Sequence, residues 1–266
     1  MFIIAENINI MSRRLGPAIK ERRKGPIQEM ARALVAAGAD ALDVNLGPAR
    51  KGGEELMRFV VGTVAEVAPV QLCLDTTNAA AMEAGILTCA ELGLPTPIVN
   101  SFSLQPDRLE AILPLAARHG CEVVGLCMAE GVPADADERL ALAYELVSAA
   151  NAAGIPNDRI FVDPIVLPLT VDVGQQQAMA VQETLRGLAE LFDPPVRSTC
   201  GLSNVSNGAP AELRSPLNCV FAAMLASLGI ASAIVDALDP HMMRTLRLTR
   251  AFRNQTLFSL SDAELA

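Results

Sequence analysis

Short apolar runs alternate with longer amphipathic stretches from one end of the chain to the other. In the first amphipathic stretch, apolar side chains recur at Ile27, Met30 and Leu34, close to the helical repeat of about 3.6 residues. Pro26 suits the first turn of a helix and Gly38 suits its end, so we predict a helix between them. The short runs are continuously apolar, which is typical of parallel strands covered on both faces.

The pattern gives eight strand-then-helix units in 266 residues. The predicted strands are 2–5, 41–47, 70–74, 97–100, 122–127, 159–163, 198–202 and 231–235. The predicted helices are the one that begins at Pro26, then 54–67, 78–92, 106–119, 137–153, 173–192, 216–228 and one that begins near Pro240. This order predicts an α/β protein with a single (β/α)8 TIM barrel over 1–266. A doubly wound open sheet is the alternative, but no Gly-x-Gly-x-x-Gly or Walker loop follows the first strand.

Polar side chains stand at or just after the carboxyl ends of these strands. Because active sites of such barrels lie at that end, we expect these residues to converge on one pocket. They are Glu6, Asn9, Asp43, Asn45, Asp75, Asn100, Asp163, Ser203, Asn204 and Asp236. No Lys or His stands among them, which disfavours Schiff-base chemistry and a histidine proton shuttle.

Composition and motif spacing argue against several classes of protein and of site. The net charge is −9, which argues against a nucleic-acid or anionic-membrane surface. No apolar run reaches the roughly 18 residues of a membrane span, and the N-terminus lacks a signal-peptide pattern, so we expect a cytoplasmic protein. None of the six Cys forms a Cys-x-x-Cys pair, and the two His are far apart, so neither a zinc site nor a Ser–His–Asp triad is indicated.

A pocket of Asp and Asn can bind two kinds of ligand. Carboxylate and amide oxygens can hold a divalent cation. They can also bind a flat heterocycle, since a carboxylate accepts from two adjacent N–H groups and an Asn both donates and accepts. Metal sites cluster their carboxylates tightly, whereas these come from separate strands, so the sequence favours a heterocycle such as a pterin.

Six motifs together resemble the methyltetrahydrofolate:corrinoid (iron–sulfur) protein methyltransferases of the pterin-binding barrel superfamily. They are GluAsnIleAsn (6–9), LeuAspValAsnLeuGlyPro (42–48), CysLeuAspThrThrAsn (73–78), ValAsnSer (99–101), AspProIleValLeuPro (163–168) and GlyLeuSerAsnValSer (201–206). The resemblance implies transfer of a methyl group between N5 of 5-methyltetrahydrofolate and the cobalt of a corrinoid, and it implies a homodimer. One departure is Asn7, where members of the family often carry Arg.

The resemblance also implies roles for individual residues. Asp75, Asn100 and Asp163 would hold the pterin edge, and Asn204 would bind N5, so that Asn204 and Asp75 are the expected catalytic residues. The remaining implied residues line or complete the folate site, namely Gly201, Ser203 and Arg214, or belong to the same rim with less defined roles, namely Glu6, Asn9, Asp43 and Asn45.

The corrinoid is expected on a separate protein. The base-off corrinoid signature Asp-x-His-x-x-Gly has its nearest match at 239–244, which lacks the Gly, so we expect Asp239 to cap a helix instead. The basic segment 13–24 is a candidate contact for the corrinoid protein or for the polyglutamate tail of folate, with a solvated loop as the alternative.

Three rival functions stay open at this point. A dihydropteroate synthase-like enzyme would share the barrel and pterin site, but it would need a Lys near a late strand and basic residues for a pyrophosphate. A non-catalytic folate- or corrinoid-binding barrel is the second rival. A metal-dependent barrel hydrolase or aldolase is the third.

Overall fold

The computed structural model describes residues 1–258, in which strands and helices alternate. The strands are β1 (Phe2–Asn9), β2 (Ala41–Gly47), β3 (Gln71–Thr76), β4 (Ile98–Phe102), β5 (Glu122–Leu126), β6 (Ile160–Asp163), β7 (Arg197–Ser198) and β8 (Ser232–Val235). The helices are α1 (Gly16–Lys20), α2 (Lys24–Ala36), α3 (Gly53–Ala65), α4 (Ala79–Glu91), α5 (Pro106–His119), α6 (Ala136–Ala152), α7 (Gly174–Leu191), α8 (Ala211–Ser227) and α9 (Pro240–Phe252). Short 3₁₀ helices span Asn157–Arg159 and Leu202–Ser206.

All eight strands are parallel neighbours in the order β7-β6-β5-β4-β3-β2-β1-β8. The sheet closes on itself after β7, where Ile234 N–H donates to the Cys200 carbonyl at 2.9 Å and Ala231 N–H donates to the Ser198 carbonyl at 3.2 Å. The predicted (β/α)8 barrel is therefore confirmed. Its predicted end at Ala266 lies outside the described residues.

The inside of the barrel is filled by one apolar side chain from each of seven strands. Below this layer Arg197 stacks on the ring of Phe161, with 3.9 Å from its guanidinium carbon to the ring centroid, and pairs with Glu122 at 2.5 Å. The barrel is thus plugged toward the amino ends of its strands. The apolar layer consists of Ile4, Ala41, Cys73, Ile98, Val124, Phe161 and Ile234.

The elements differ from the predictions at four main places. β1 runs on to Asn9, and the short helix α1 forms inside the basic segment 13–24, for which no helix was predicted. β7 has two residues instead of five, because the chain turns into the 3₁₀ helix Leu202–Ser206. α8 begins at Ala211 instead of at Pro216, so this proline lies inside the helix, in its second turn.

Two local predictions are confirmed. Gly38 ends the helix turn with φ +97°, a conformation that glycine adopts without steric cost. Asp239 caps α9, its side chain accepting from the N–H groups of His241 at 2.9 Å and Met242 at 3.3 Å. Within residues 1–258, no helix has the length and apolar character to cross a membrane.

Candidate substrate-binding site

The site is the layer of side chains directly above the apolar plug. Because strand side chains alternate between the two faces, the residue two positions beyond each plug residue points into the barrel again. Ile4 is thus followed by Glu6, and Ile98 by Asn100. The same step leads from Ala41 to Asp43, from Cys73 to Asp75, from Phe161 to Asp163 and from Ile234 to Asp236. The same change from an apolar to a polar side chain occurs on six strands. These six polar side chains form the floor of the site.

These side chains open into a cavity of about 980 Å³. Of the eleven residues that the resemblance assigns to the site, only Ser203 is absent from the lining; its buried hydroxyl lies beside Glu6. Asp236, expected from its position at a strand end, lines the cavity as well. The cavity is also lined by Asn7, Ser12 and Asn207, which were not among the expected site residues, and by Arg14 of the basic segment 13–24. The expected residues that do line the cavity are Glu6, Asn9, Asp43, Asn45, Asp75, Asn100, Asp163, Gly201, Asn204 and Arg214.

Asp75 is oriented by its neighbour Asn45. The Asn45 amide donates to Oδ2 of Asp75, while its own Oδ1 accepts from Gly47 N–H at 3.1 Å. Burial raises the pKa of Asp75 to about 6, and the charge of Arg108 opposes that rise. The carboxyl group is therefore held in one orientation beside the cavity.

Asp43 is the most deeply buried carboxyl group of the floor, with 2% of its surface exposed. Burial, together with the nearby charges of Asp75 and Glu6, raises the pKa of Asp43 well above its ordinary range. Its Oδ1 accepts no hydrogen bond from the described residues. A buried oxygen without a partner is costly, so this atom is suited to a ligand that brings a donor.

Asp163 stands on the opposite side of the floor and is fixed by its own loop. Its Oδ1 accepts from Ile165 N–H at 2.8 Å. Burial raises the pKa of Asp163 to about 6, although the N–H groups of Ile165 and Gly201 and the charge of Arg139 favour its ionised form. Ile165 has φ +62°, an unfavourable conformation for a β-branched residue, which this hydrogen bond helps to hold.

Arg139 holds the loop that follows β6, and it was not among the predicted site residues. It is fully buried in α6, and its Nε donates to the Pro164 carbonyl at 2.7 Å. Its Nη1 donates to the Asp135 carbonyl at 2.9 Å and its Nη2 to Oε1 of Gln177. A lone Arg in an amphipathic helix looks like a solvated surface charge, so the sequence carried no signal for this role.

Arg108 is a second residue that the predictions missed. From α5 it donates to the Thr77 carbonyl at 2.8 Å and to the Ser101 carbonyl. It thereby ties the loop after β3 to strand β4, and its charge favours ionised Asp75. Its position in the first turn of α5 gave no hint of this contact.

Asn204 lies on the 3₁₀ helix above the floor. Its side chain is exposed to the cavity, and its Oδ1 accepts from Nδ2 of Asn207 at 3.2 Å. A side chain at position 201 would place its Cβ 2.9 Å from Nδ2 of Asn204, so Gly201 makes room for the amide. The amide can donate and accept, which suits a ring nitrogen in either protonation state.

Glu6 and Asp236 form the remaining acidic part of the floor. Burial, with Asp236 as a further contributor, raises the pKa of Glu6 to about 7, and the hydroxyl of Ser203 opposes the rise. Asn7 donates to Oδ1 of Asp236 at 2.6 Å and accepts from Ala237 N–H at 3.3 Å. The Asn found in place of Arg thus links β1 to the end of β8 through hydrogen bonds alone.

Charge and geometry together define what the site can bind. Five acidic residues and several amides surround one cavity, and none of the floor side chains is a base such as Lys or His. Within residues 1–258, no group of three or more His, Cys, Asp and Glu side chains is placed to share a metal ion. The floor is therefore suited to a flat ring with several N–H donors along one edge.

Comparison with known proteins places this site in a family. The model of the pterin binding enzymes matches residues 22–236. The methylcorrinoid:tetrahydrofolate methyltransferase of Eubacterium limosum is 29% identical over 254 residues, which cover 94% of this chain and 90% of that protein. Methionine synthase of Mycobacterium leprae is 28% identical over 79% of this chain, a stretch that makes up 18% of that longer protein.

Solved structures agree on the fold. A dihydropteroate synthase of Yersinia pestis superposes with a TM-score of 0.70 at 18% identity, covering 96% of this chain and 94% of that one. A dihydropteroate synthase of Xanthomonas albilineans gives a TM-score of 0.69 at 17% identity, covering 96% and 93%. At this identity the likeness concerns the barrel and not the reaction. The matching family model and the geometry of the floor lead to one conclusion: the chain belongs to the pterin-binding enzymes.

Proposed function

We propose that this chain is a methyltransferase that moves a methyl group between N5 of 5-methyltetrahydrofolate and the cobalt of a corrinoid carried on a separate protein. The observation that carries the proposal is the polar floor, where Asp75 and Asn100 from the neighbouring strands β3 and β4 and Asp163 from β6 face one cavity. The similarity to the Eubacterium limosum enzyme along 94% of the chain supports this reaction over others of the family. The whole chain would act as one pterin-binding barrel domain.

The pterin ring would lie on the floor with its amide and amine edge toward the carboxyl groups. Asp75 and Asp163 accept from ring N–H and NH2 groups, and Asn100 can donate to the ring carbonyl. The unpartnered Oδ1 of Asp43 would gain a donor from the ring or from a bound water. Because these side chains are buried, the bonds form away from bulk water, where they are stronger.

Asn204 would act at the reacting nitrogen. A tertiary amine is a poor leaving group, so N5 must carry a proton before its methyl group departs. The bonding electrons then stay on N5, and the proton remains as the N5–H of tetrahydrofolate. The Oδ1 of Asn204 can accept from this N–H while it still accepts from Asn207, because a carbonyl oxygen has two lone pairs. This is electrostatic preorganisation toward a positive nitrogen.

The acidic floor supports the same charge. A positive N5 in a cavity with five acidic residues is stabilised by every one of them that is ionised. Burial raises the pKa of Glu6 to about 7, which suits proton exchange near neutral pH. The reduced corrinoid supplies the nucleophile for the methyl group and would approach over the cavity mouth, carried by its own protein.

One spectrophotometric assay tests the reaction. The protein is mixed without oxygen with 5-methyltetrahydrofolate and chemically reduced cob(I)alamin, and the loss of the cob(I) band is followed. We expect enzyme-dependent formation of methylcob(III)alamin. Condensation of a pterin pyrophosphate with p-aminobenzoate, measured in parallel, would favour the dihydropteroate synthase alternative. Tight folate binding without transfer, even with added corrinoid proteins, would favour a non-catalytic folate-binding barrel.

We also propose that the protein forms a homodimer through α7 and α8. An open groove of about 410 Å³ lies between these helices, and none of the residues that line it carries a charge. Along α8 its apolar residues are Leu213, Leu217, Val220 and Met224, an alternating spacing of four and three that forms one continuous stripe. A twofold axis would bring this stripe against the same stripe of a second copy of the chain, which is the partner that we propose.

A further inference from the structure

A single peptide group connects Arg139 to Asp163. The carbonyl of Pro164 accepts from Nε of Arg139 at 2.7 Å. The N–H of Ile165, on the other side of the same peptide bond, donates to Oδ1 of Asp163 at 2.8 Å. The guanidinium and the carboxyl group thus lie at the two ends of one chain of hydrogen bonds. Because each bond in such a chain polarises the next, the positive charge at one end strengthens the bond that Asp163 accepts.

Arg139 carries a buried charge that forms no salt bridge within residues 1–258. Its partners are the carbonyl oxygens of Pro133, Asp135 and Pro164 and Oε1 of Gln177. A buried charge is costly unless an opposite charge lies close to it. The carboxyl groups whose charges act on Arg139 are those of Asp135, Glu138 and Asp163. The first two residues are exposed to solvent, which screens them, so Asp163 is the buried counter-charge.

Gln177 of α7 fixes the orientation of the guanidinium. Its Oε1 accepts from Nη2 of Arg139, and its Nε2 donates to the carbonyls of Pro133 at 3.2 Å and Ala134 at 3.0 Å. The side chain is buried, so these bonds form away from bulk water. Turning the guanidinium away from the Pro164 carbonyl would break this bridge between α7 and the loop before α6.

We propose that Arg139 is a positioning residue for the pterin: through the peptide group between Pro164 and Ile165 it orients Asp163 toward the cavity and keeps that carboxyl group charged. This inference rests on the proposed function, because it takes the ring to be bound by Asp163. Arg139 is not among the residues that line the cavity, so it acts through Asp163 and not on the substrate. An ionised carboxylate can accept from two adjacent ring donors, whereas a protonated one gives up part of that capacity.

The inference predicts how binding depends on pH. Burial raises the pKa of Asp163 to about 6, and the charge of Arg139 opposes this rise. The thiols of Cys127 and Cys200 also face Asp163, but burial raises the pKa of both well above the ordinary range, so they stay neutral near pH 7. Because the ionised carboxyl group binds the ring, binding through Asp163 is lost as the pH falls through its pKa. Removing the charge of Arg139 should move this loss to a higher pH.

The experiment measures the Kd for tetrahydrofolate between pH 5.5 and 8.5. Arg139→Met removes the charge from a side chain of similar length, and a shift of the midpoint by about one pH unit makes its rise in Kd about tenfold larger at pH 5.5 than at pH 8.5. Arg139→Lys keeps the charge but loses the fork of donors, so it should weaken binding and retain the wild-type midpoint. In the methyl-transfer assay the change should fall on KM more than on kcat, because Asn204 is unaltered.

Two variants of Gln177 form a matched pair that leaves Arg139 in place. Gln177→Glu sets a negative charge against the guanidinium, so we expect it to shift the midpoint as Arg139→Met does. Gln177→Met removes the hydrogen bonds of the bridge without adding a charge, so it should lower the Tm and keep the wild-type midpoint. A residue that only supports the fold would give no such difference between the two variants.

Two results would overturn the inference. One is a folded Arg139→Met variant with the wild-type pH dependence, and the other is an equal midpoint for the two Gln177 variants. If Arg139→Met does not fold, the Gln177 pair decides alone. Carbon NMR of the ligand-free protein, with the Asp163 signal assigned through Asp163→Asn, follows the same proton without substrate. A shifted Asp163 titration in a protein that binds no folate would contradict the proposed function and keep the link from Arg139 to Asp163; methyl transfer with an unshifted titration would do the reverse.

Discussion

At the scale of single residues, the floor of the barrel is unusual for the number of carboxyl groups it keeps from water. Burial raises the pKa of Asp75 and Asp163 to about 6 and of Glu6 to about 7, and raises that of Asp43 further above its ordinary range. Without a ligand these groups repel one another when they ionise. A ring with several N–H donors or a positive nitrogen relieves that repulsion, so binding and protonation are linked.

Removing the Asn204 amide tests its role at N5. We expect Asn204→Ala to lower kcat for methyl transfer by about 100-fold, in the range seen when one preorganised transition-state contact is lost. The Kd for 5-methyltetrahydrofolate should change much less, because the floor still binds the ring. Stopped-flow transfer rates and folate titrations measure the two effects, with Asn207→Ala as a comparison that removes only the neighbouring amide. An unchanged kcat in Asn204→Ala would contradict the role.

The raised pKa of Glu6 predicts how stability depends on pH. The folded protein keeps a proton on Glu6 up to about pH 7, whereas an unfolded chain releases it near the ordinary value of 4.5. Stability from this group is therefore full below pH 4.5 and is lost as the pH rises through 7. Glu6→Gln cannot ionise, so we expect its Tm to exceed that of the wild type at pH 8 more than at pH 5.

Thermal unfolding of ligand-free protein from pH 5 to 8 measures this difference. Glu29→Gln on the exposed face of α2 provides a matched change, and it should follow the wild-type curve. If Glu6→Gln and the wild type show the same change of Tm with pH, Glu6 does not hold its proton to neutral pH.

At the scale of elements, the space available for a side chain differs between glycine positions on the helices around the barrel. A Cβ at Gly85 of α4 would lie 2.8 Å from Leu74 of β3 and 2.8 Å from Met57 of α3, both buried. A Cβ added at Gly62 of α3 would meet no neighbouring atom within 4 Å. The first glycine is thus a close-approach point between two helices and a strand, and the second is open.

This pair of glycines gives a matched prediction. Gly62→Ala should raise the free energy of unfolding by up to about 1 kcal/mol, because alanine favours the helix. Gly85→Ala should lower it by about 1–3 kcal/mol, because overpacking a buried contact outweighs the helical gain. Urea unfolding followed by circular dichroism gives both values. A stabilised Gly85→Ala variant would mean that Leu74 and Met57 move aside without cost.

At the scale of the whole molecule, the two ends of the barrel differ in kind. The amino ends of the strands are sealed by the apolar plug and by the stack of Arg197 on Phe161, with Glu122 beside it. The carboxyl ends carry the polar floor and the open cavity. The residues that stabilise the barrel and those that form the site thus lie at opposite ends of one sheet. The apolar groove between α7 and α8 lies on the outer layer of helices.

The proposed dimer can be tested by placing a charge in that groove. Val220 is 61% exposed, so Val220→Asp should fold as a monomer while the wild type forms a dimer. Leu92→Asp introduces the same charge at an apolar residue that is 50% exposed but outside the groove, and it should stay dimeric. Size-exclusion chromatography with light scattering distinguishes the two states. A monomeric wild type, or a dimeric Val220→Asp, would contradict this interface.

The sequence by itself determined the barrel and most of its floor. Continuous apolar strands alternating with amphipathic helices are a local signal, and parallel strands bring their carboxyl ends to one rim. The step of two residues from plug to floor then places Asp43, Asp75, Asn100 and Asp163 inside the barrel without any knowledge of distant contacts. Glu6 lines the cavity for the same reason, whereas Gly201, Asn204 and Arg214, which also line it, were implied only by the family resemblance.

Only the tertiary structure determined which hydrogen bonds fix the residues of the floor and its loops and how far burial shifts the pKa of its carboxyl groups. Asn7 meets Asp236 between the first and the last strand, and Arg139 joins Pro164 to Gln177, contacts between residues far apart in the chain. The pKa of Glu6 likewise depends on burial by the surrounding strands and loops. No local pattern encodes such contacts, because burial and hydrogen-bond partners are set by which elements the folded barrel brings together.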